Sequence, residues 1–141
     1  MRPDYIDDVF RVSGKSSGRL MGDARASLVI ATDAELSGGA LQSLVGSSAI
    51  GLDLPPLYAV SVGYPLDAHP SFAVRRNRDL TPSPWPAIEP LMHAMTGTPV
   101  QFATGGADAY FAFLDEELKP ALAEAFPVDP DDATLTGQSF G

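Results

Sequence analysis

Ala133-Thr134-Leu135-Thr136-Gly137-Gln138-Ser139-Phe140-Gly141 reads as a short strand running straight into a G-x-S-x-G turn. A turn of this pattern lifts a serine hydroxyl above the end of a sheet on strained backbone. Its glycines answer the crowding where strand and helix meet. The confirming context is a strand before the motif and a helix after it. The strand is present, and the sequence stops on the last glycine of the motif. A Gly/Ser tail left by processing is the plainer reading. The serine turn is the stronger one, because strand and motif are correctly joined.

Upstream, the residues from Ala107 to about Phe126 form the clearest helix. Tyr110, Phe111, Leu114, Leu118, Leu122 and Phe126 recur at three- and four-residue steps and give one apolar face. Asp108 suits an N-terminal cap or dipole partner, while Pro120 inside the pattern predicts a kink. Ser27-Leu28-Val29-Ile30-Ala31-Thr32 is a continuous apolar run, as expected of a strand buried on both faces, and Asp33 ends it. Leu36 to Ile50 carries helical spacing weakened by glycines. Leu57-Tyr58-Ala59-Val60-Ser61-Val62 is a second buried strand. Val9-Phe10-Arg11-Val12 suits a short edge strand, and Ser13 to Gly18 reads as turn-rich loop without phosphate-loop spacing. From about Leu66 to Gly106 the chain reads as a long irregular excursion. Alternating strands and helices of this order predict an α/β fold, with a mostly parallel sheet and helices on both faces.

Composition bounds the function. The chain has 141 residues, enough for one domain, and 45% of them are hydrophobic, which suits a globular core rather than a disordered tail. A formal net charge of −9 argues against nucleic acid and against an anionic membrane surface. There is no cysteine, so disulfides and thiolate metal sites are excluded. No signal-peptide profile and no membrane-spanning run is present, and a cytoplasmic location is the expectation.

Several segments in series resemble one family. Leu54-Pro55-Pro56 enters the second strand and Val62-Gly63-Tyr64-Pro65 leaves it. Arg76-Asn77-Arg78-Asp79-Leu80-Thr81-Pro82 and Gly105-Gly106-Ala107-Asp108-Ala109-Tyr110 follow. Asp115-Glu116-Glu117-Leu118-Lys119-Pro120 and the serine motif complete the set. Together they resemble the N-terminal half of the α/β-hydrolase esterase family that includes enterochelin and ferric-siderophore esterases, S-formylglutathione hydrolases, feruloyl esterases and mycolyltransferases. The R-x-R-D-x-T-P segment points most toward the siderophore-esterase branch. The resemblance covers about Leu54 to Gly141, and residues 1–26 match poorly. It implies a single, incomplete α/β-hydrolase domain over 1–141, truncated at the nucleophile turn.

What the resemblance implies is a serine hydrolase of carboxylic esters working through an acyl-enzyme. Ser139 would attack the ester carbonyl, with a histidine and an acid that follow it in the chain order of this fold. The oxyanion would rest on backbone N–H groups, one from Phe140 and one from the loop after an earlier strand. That loop commonly reads L-D-G in the family and here reads Thr32-Asp33-Ala34-Glu35, with Ala34 at the usual glycine. No cofactor is implied. The partner expected is a small-molecule ester, with a complementing C-terminal half or self-association to supply what is missing. This chain alone is expected to be inactive. The alternative is a non-catalytic fragment or a small α/β binding module.

His69 and His93 precede Ser139, so chain order makes them loop or surface residues, and their spacing suits no metal. Asp129, Asp131 and Asp132 lack the spacing of a calcium loop and read as a solvated turn. Arg76 and Arg78 suit an anionic group on a substrate, or equally an ion pair with Asp79 that holds the loop. Trp85 lines a pocket or covers the sheet.

Overall fold

Four strands make one sheet in a computed structural model that describes residues 1–18, 24–51, 54–67, 72–97, 103–139 and 141. They are β1 (Arg11–Ser16), β2 (Ala26–Ala31), β3 (Leu57–Gly63) and β4 (Val128–Thr136), in the spatial order β1-β3-β2-β4. β2 is parallel to both β3 and β4, and β1 runs antiparallel to β3 at the edge. The apolar runs that predict buried strands occupy the two central positions. The mostly parallel sheet is the expected one.

The two faces of the sheet are covered differently. Leu28, Ile30, Val60 and Val62 point to one side, where they meet Tyr110, Phe113, Leu114, Leu118 and Leu122 in a single core. These come from a helical segment made of α4 (Ala107–Ala112), a π-helical turn (Phe113–Leu118) and α5 (Lys119–Ala125). Burying one such apolar side chain stabilises the fold by about 1.5–3 kcal/mol. On the other face lies α1 (Gly39–Gly51), entered through a π-helical turn at Ala34–Gly38. Small residues let it come close: a Cβ on Gly38 would stand 2.9 Å from the Ser61 side chain. Gln42 Nε2 donates to Ser13 Oγ at 3.0 Å across the same face. Among the described residues no helix is long and apolar enough to cross a membrane.

Several local expectations are corrected. Ser13–Ser16 belongs to β1 and is not loop, with Ser13 opposite Ser61 and Ser16 opposite Tyr58. Small polar residues are tolerated there because an edge strand faces solvent. The stretch read as irregular holds two helices, α2 (Phe72–Asp79) and α3 (Glu89–Thr96). α2 has little apolar periodicity because its buried side is Val74, Arg75, Asn77 and Asp79, built on ion pairs. α3 starts with a proline at its N-terminus, where the missing N–H has no helical partner to lose. Pro120 lies in the first turn of α5, where its missing N–H costs least. The π-helical turn before it widens the hydrogen bonding, so Lys119 donates to Leu114. Gly106, not Asp108, is the N-cap of α4, and Asp108 sits in the first turn, where its charge suits the dipole. Asp129–Asp132 lie within β4 at a register shift, after which Ala133–Thr136 pair with Leu28–Ala31.

The first ten residues, outside any element, contribute Ile6 and Phe10 to the core. Phe10 is buried and stacks on Phe113 at 4.8 Å, with Tyr64 and Tyr110 each 5.5 Å away.

Candidate active site

The site is built where β2 and β4 end side by side. Thr32 N donates to Thr136 O at 3.0 Å, extending the ladder one step past β2. Beyond that bond both chains turn sharply. Asp33 has φ 54° and Ser139 has φ 61°, and among the described residues these are the two non-glycine positions in the left-handed region. Each such residue costs about 1–2 kcal/mol, so the strain is concentrated at one end of two neighbouring strands.

The glycines of the motif are required by space. A Cβ on Gly137 would strike the backbone of Gly141 and stand 2.5 Å from Thr32 Oγ1. A Cβ on Gly141 would strike Thr32 Oγ1 and lie 3.0 Å from Asp33 Oδ2. Gly141 N donates to Gln138 O at 3.0 Å and closes the turn around Ser139, which is exposed. Phe140, the expected oxyanion donor, lies outside the described residues.

Ala34 is the first residue of its helical turn, where backbone N–H groups have no partner within the helix. It is half-buried and is not in the left-handed region; Asp33 carries that strain instead. The alanine in place of the family glycine therefore meets no backbone penalty. Room for this loop comes from β3: a Cβ on Gly63 would stand 2.7 Å from Ala34 Cβ and 2.5 Å from Glu35 Oε1. Glu35 Oε1 in turn accepts from Tyr64 N at 2.6 Å.

The arginine cluster is engaged by carboxylates. Arg76 Nε and Nη2 donate to Asp33 Oδ1 and Oδ2 at 2.9 and 2.5 Å, and Nη2 also reaches Gln138 O at 3.3 Å. These bonds to Asp33 raise the Arg76 pKa against the opposing effect of burial. Arg78 is raised as well: burial works against its charge, and the bonds to Asp79 and Asp8 more than offset that. Its Nε donates to Asp79 Oδ1 at 2.6 Å and its Nη2 to Asp8 Oδ2 at 2.8 Å. Arg75 Nη1 pairs with Asp8 Oδ1 at 2.9 Å. Tyr64 Oη donates to Asp79 Oδ2 at 2.9 Å inside this network, and burial first, then the Asp79 charge, pushes its pKa up. The geometry brings Ser139, Ala34 and Arg76 to one place, while Arg78, also on α2, is engaged by Asp79 and Asp8.

His93 is exposed on α3 and His69 lies outside the described residues. Trp85 is half exposed, its N–H bonded to Thr104 Oγ1 at 2.7 Å. The sequence reading gives Asp33 as a strand end and as part of the loop at the usual L-D-G, but not as the partner of Arg76. A carboxylate just after a largely apolar strand is the signal available.

By sequence, no family profile and no curated relative matches the chain. By structure it is similar to the BES protein from Bacillus cereus, with TM-score 0.76 and 24% identity over 100% of this chain and 50% of that one. It is also similar to the siderophore hydrolase EstB from Aspergillus nidulans, with TM-score 0.69 and 23% identity over 95% of this chain and 46% of that one. The enterobactin hydrolase IroE, solved in complex with DFP, gives TM-score 0.61 and 18% identity over 93% of this chain and 53% of IroE. The chain spans about half the length of these structures. The likeness shows a shared α/β fold, with a mostly parallel sheet as the sequence predicts.

Proposed function

We propose that this chain carries the nucleophile of a serine hydrolase of carboxylic esters, with siderophore-type esters as the substrate class. The observation that supports this most is Ser139 itself. It is exposed at the end of β4 with φ 61°, beside the turn at Asp33 and Ala34. A serine held there presents Oγ to an ester carbonyl, while the Ala34 N–H faces the oxyanion that forms. The structural likeness to siderophore hydrolases supports the substrate class.

Activity then needs a base that the described residues do not bring to Ser139, and a complementing segment is the partner we propose. A cleft of about 540 Å³ beside β4, lined by Ile30, Phe111, Leu114 and Leu135 among others, supports this. The test is Ser139→Ala in the protein as it is naturally expressed, assayed on a catecholate or hydroxamate siderophore ester. Loss of several orders of magnitude in kcat is expected. Unchanged hydrolysis removes the proposal and leaves the binding-module reading. For the 141-residue chain by itself, the same substitution is expected to leave background hydrolysis where it was.

A further inference from the structure

We infer that Arg76 is a positioning residue that locks the turn carrying Ser139 to the loop carrying Ala34; this rests on the hydrolase reading above. Two strained turns at the ends of β2 and β4 must keep one relative geometry for nucleophile and oxyanion donor to address the same carbonyl. The backbone joins them through one bond beyond β2, from Thr32 N to Thr136 O. Arg76 supplies a second tie from a different element. Its guanidinium takes both oxygens of Asp33, whose side chain is fully buried, and also reaches the carbonyl of Gln138, the residue before the nucleophile.

The chemistry suits a tie better than a substrate clamp. Nε and Nη2 are spent on protein acceptors, and the side chain is only 12% exposed. A guanidinium presents its donors in a rigid fork, so one plane spans the two turns. A lysine, a point charge on a flexible stem, keeps the attraction to Asp33 but not that geometry. Asp33 also accepts from Leu36 N at 2.9 Å through its carbonyl, so a carboxylate that moves takes the start of the Ala34 turn with it.

The experiment uses Arg76→Gln and Arg76→Lys in the naturally expressed protein, with Ser139→Ala alongside. Steady-state kinetics are combined with amide hydrogen exchange over residues 33–37 and 137–139. A fall in kcat of about 10–100-fold is expected, with KM within about twofold and little recovery in the lysine variant. Exchange is expected to speed up at least about tenfold at the two turns, and to stay unchanged in β2 and along α4 and α5. A raised KM with kcat preserved overturns the inference in favour of substrate binding. Unchanged exchange at the turns overturns it, and so does faster exchange throughout the chain, which marks general support of the fold. Hydrolysis unaffected by Ser139→Ala defeats the hydrolase reading instead, and the exchange data still decide whether Arg76 ties the two turns.

Discussion

Asp8 accepts a hydrogen bond from Arg78 at 2.8 Å across seventy positions of chain, and its other oxygen lies 2.9 Å from Arg75. A segment without secondary structure is thereby pinned to α2 by charges that are largely out of water. Removing one member of a buried ion network leaves the others uncompensated, at about 3–5 kcal/mol. Asp8→Ala is expected to lower unfolding free energy by about that amount in a urea titration. A loss within about 0.5 kcal/mol, typical of an exposed residue, contradicts the role given to this segment.

The positive φ of Ser139 separates two substitutions that both delete the hydroxyl. Alanine keeps the Cβ that makes the left-handed region costly, and glycine does not. Ser139→Gly is expected to be more stable than Ser139→Ala by about 1 kcal/mol, read as a difference in thermal or chemical midpoints. Equal stabilities contradict the strained turn.

Gly137 and Gly39 make a matched pair. Alanine at 137 places a Cβ against backbone and Thr32, which have no soft direction in which to yield, and a loss of about 1–3 kcal/mol is expected. Alanine at 39 meets nothing within 4 Å at the start of α1, and a gain of about 0.5–1 kcal/mol is expected from helix propensity. Circular-dichroism melts of the two variants should therefore move in opposite directions.

Tyr64 and Tyr110 couple stability to alkaline pH. Burial is the largest cause that raises both phenols, and the Asp79 charge adds to it. A pKa raised on folding gives stability that is fully present below the unfolded tyrosine value of about 10 and lost as pH rises beyond it. Unfolding free energy should fall as pH rises above about 10. Tyr64→Phe gives up the bond to Asp79, so it should start lower at neutral pH and fall less steeply above 10. Parallel pH curves for the two proteins contradict this assignment.

How much of this was legible in the sequence follows from what kind of signal each part leaves. β2 and β3 are apolar runs, and the face from Tyr110 to Leu122 repeats at helical steps, so hydrophobic pattern finds them. The glycines flanking Ser139 are a backbone demand, and such demands survive in a short motif. α2 leaves no such trace, since apart from Val74 its buried side consists of Arg75, Asn77 and Asp79 and looks like solvent-facing chain. The bond from Arg76 to Asp33 joins residues 43 positions apart, which no local window contains. Ser13–Ser16 is a strand because β3 offers it hydrogen bonds, not because its side chains prefer one.

β4 ends the sheet among the described residues, and its last six residues, Asp131–Thr136, are exposed. Ser139 thus hangs from a strand that is anchored along one margin and open along the other. Whatever hydrogen-bonds to that open margin would stiffen the footing of Ser139 without coming near its hydroxyl. The outer edge of β4 is in that sense a remote handle on the turn that holds Ser139.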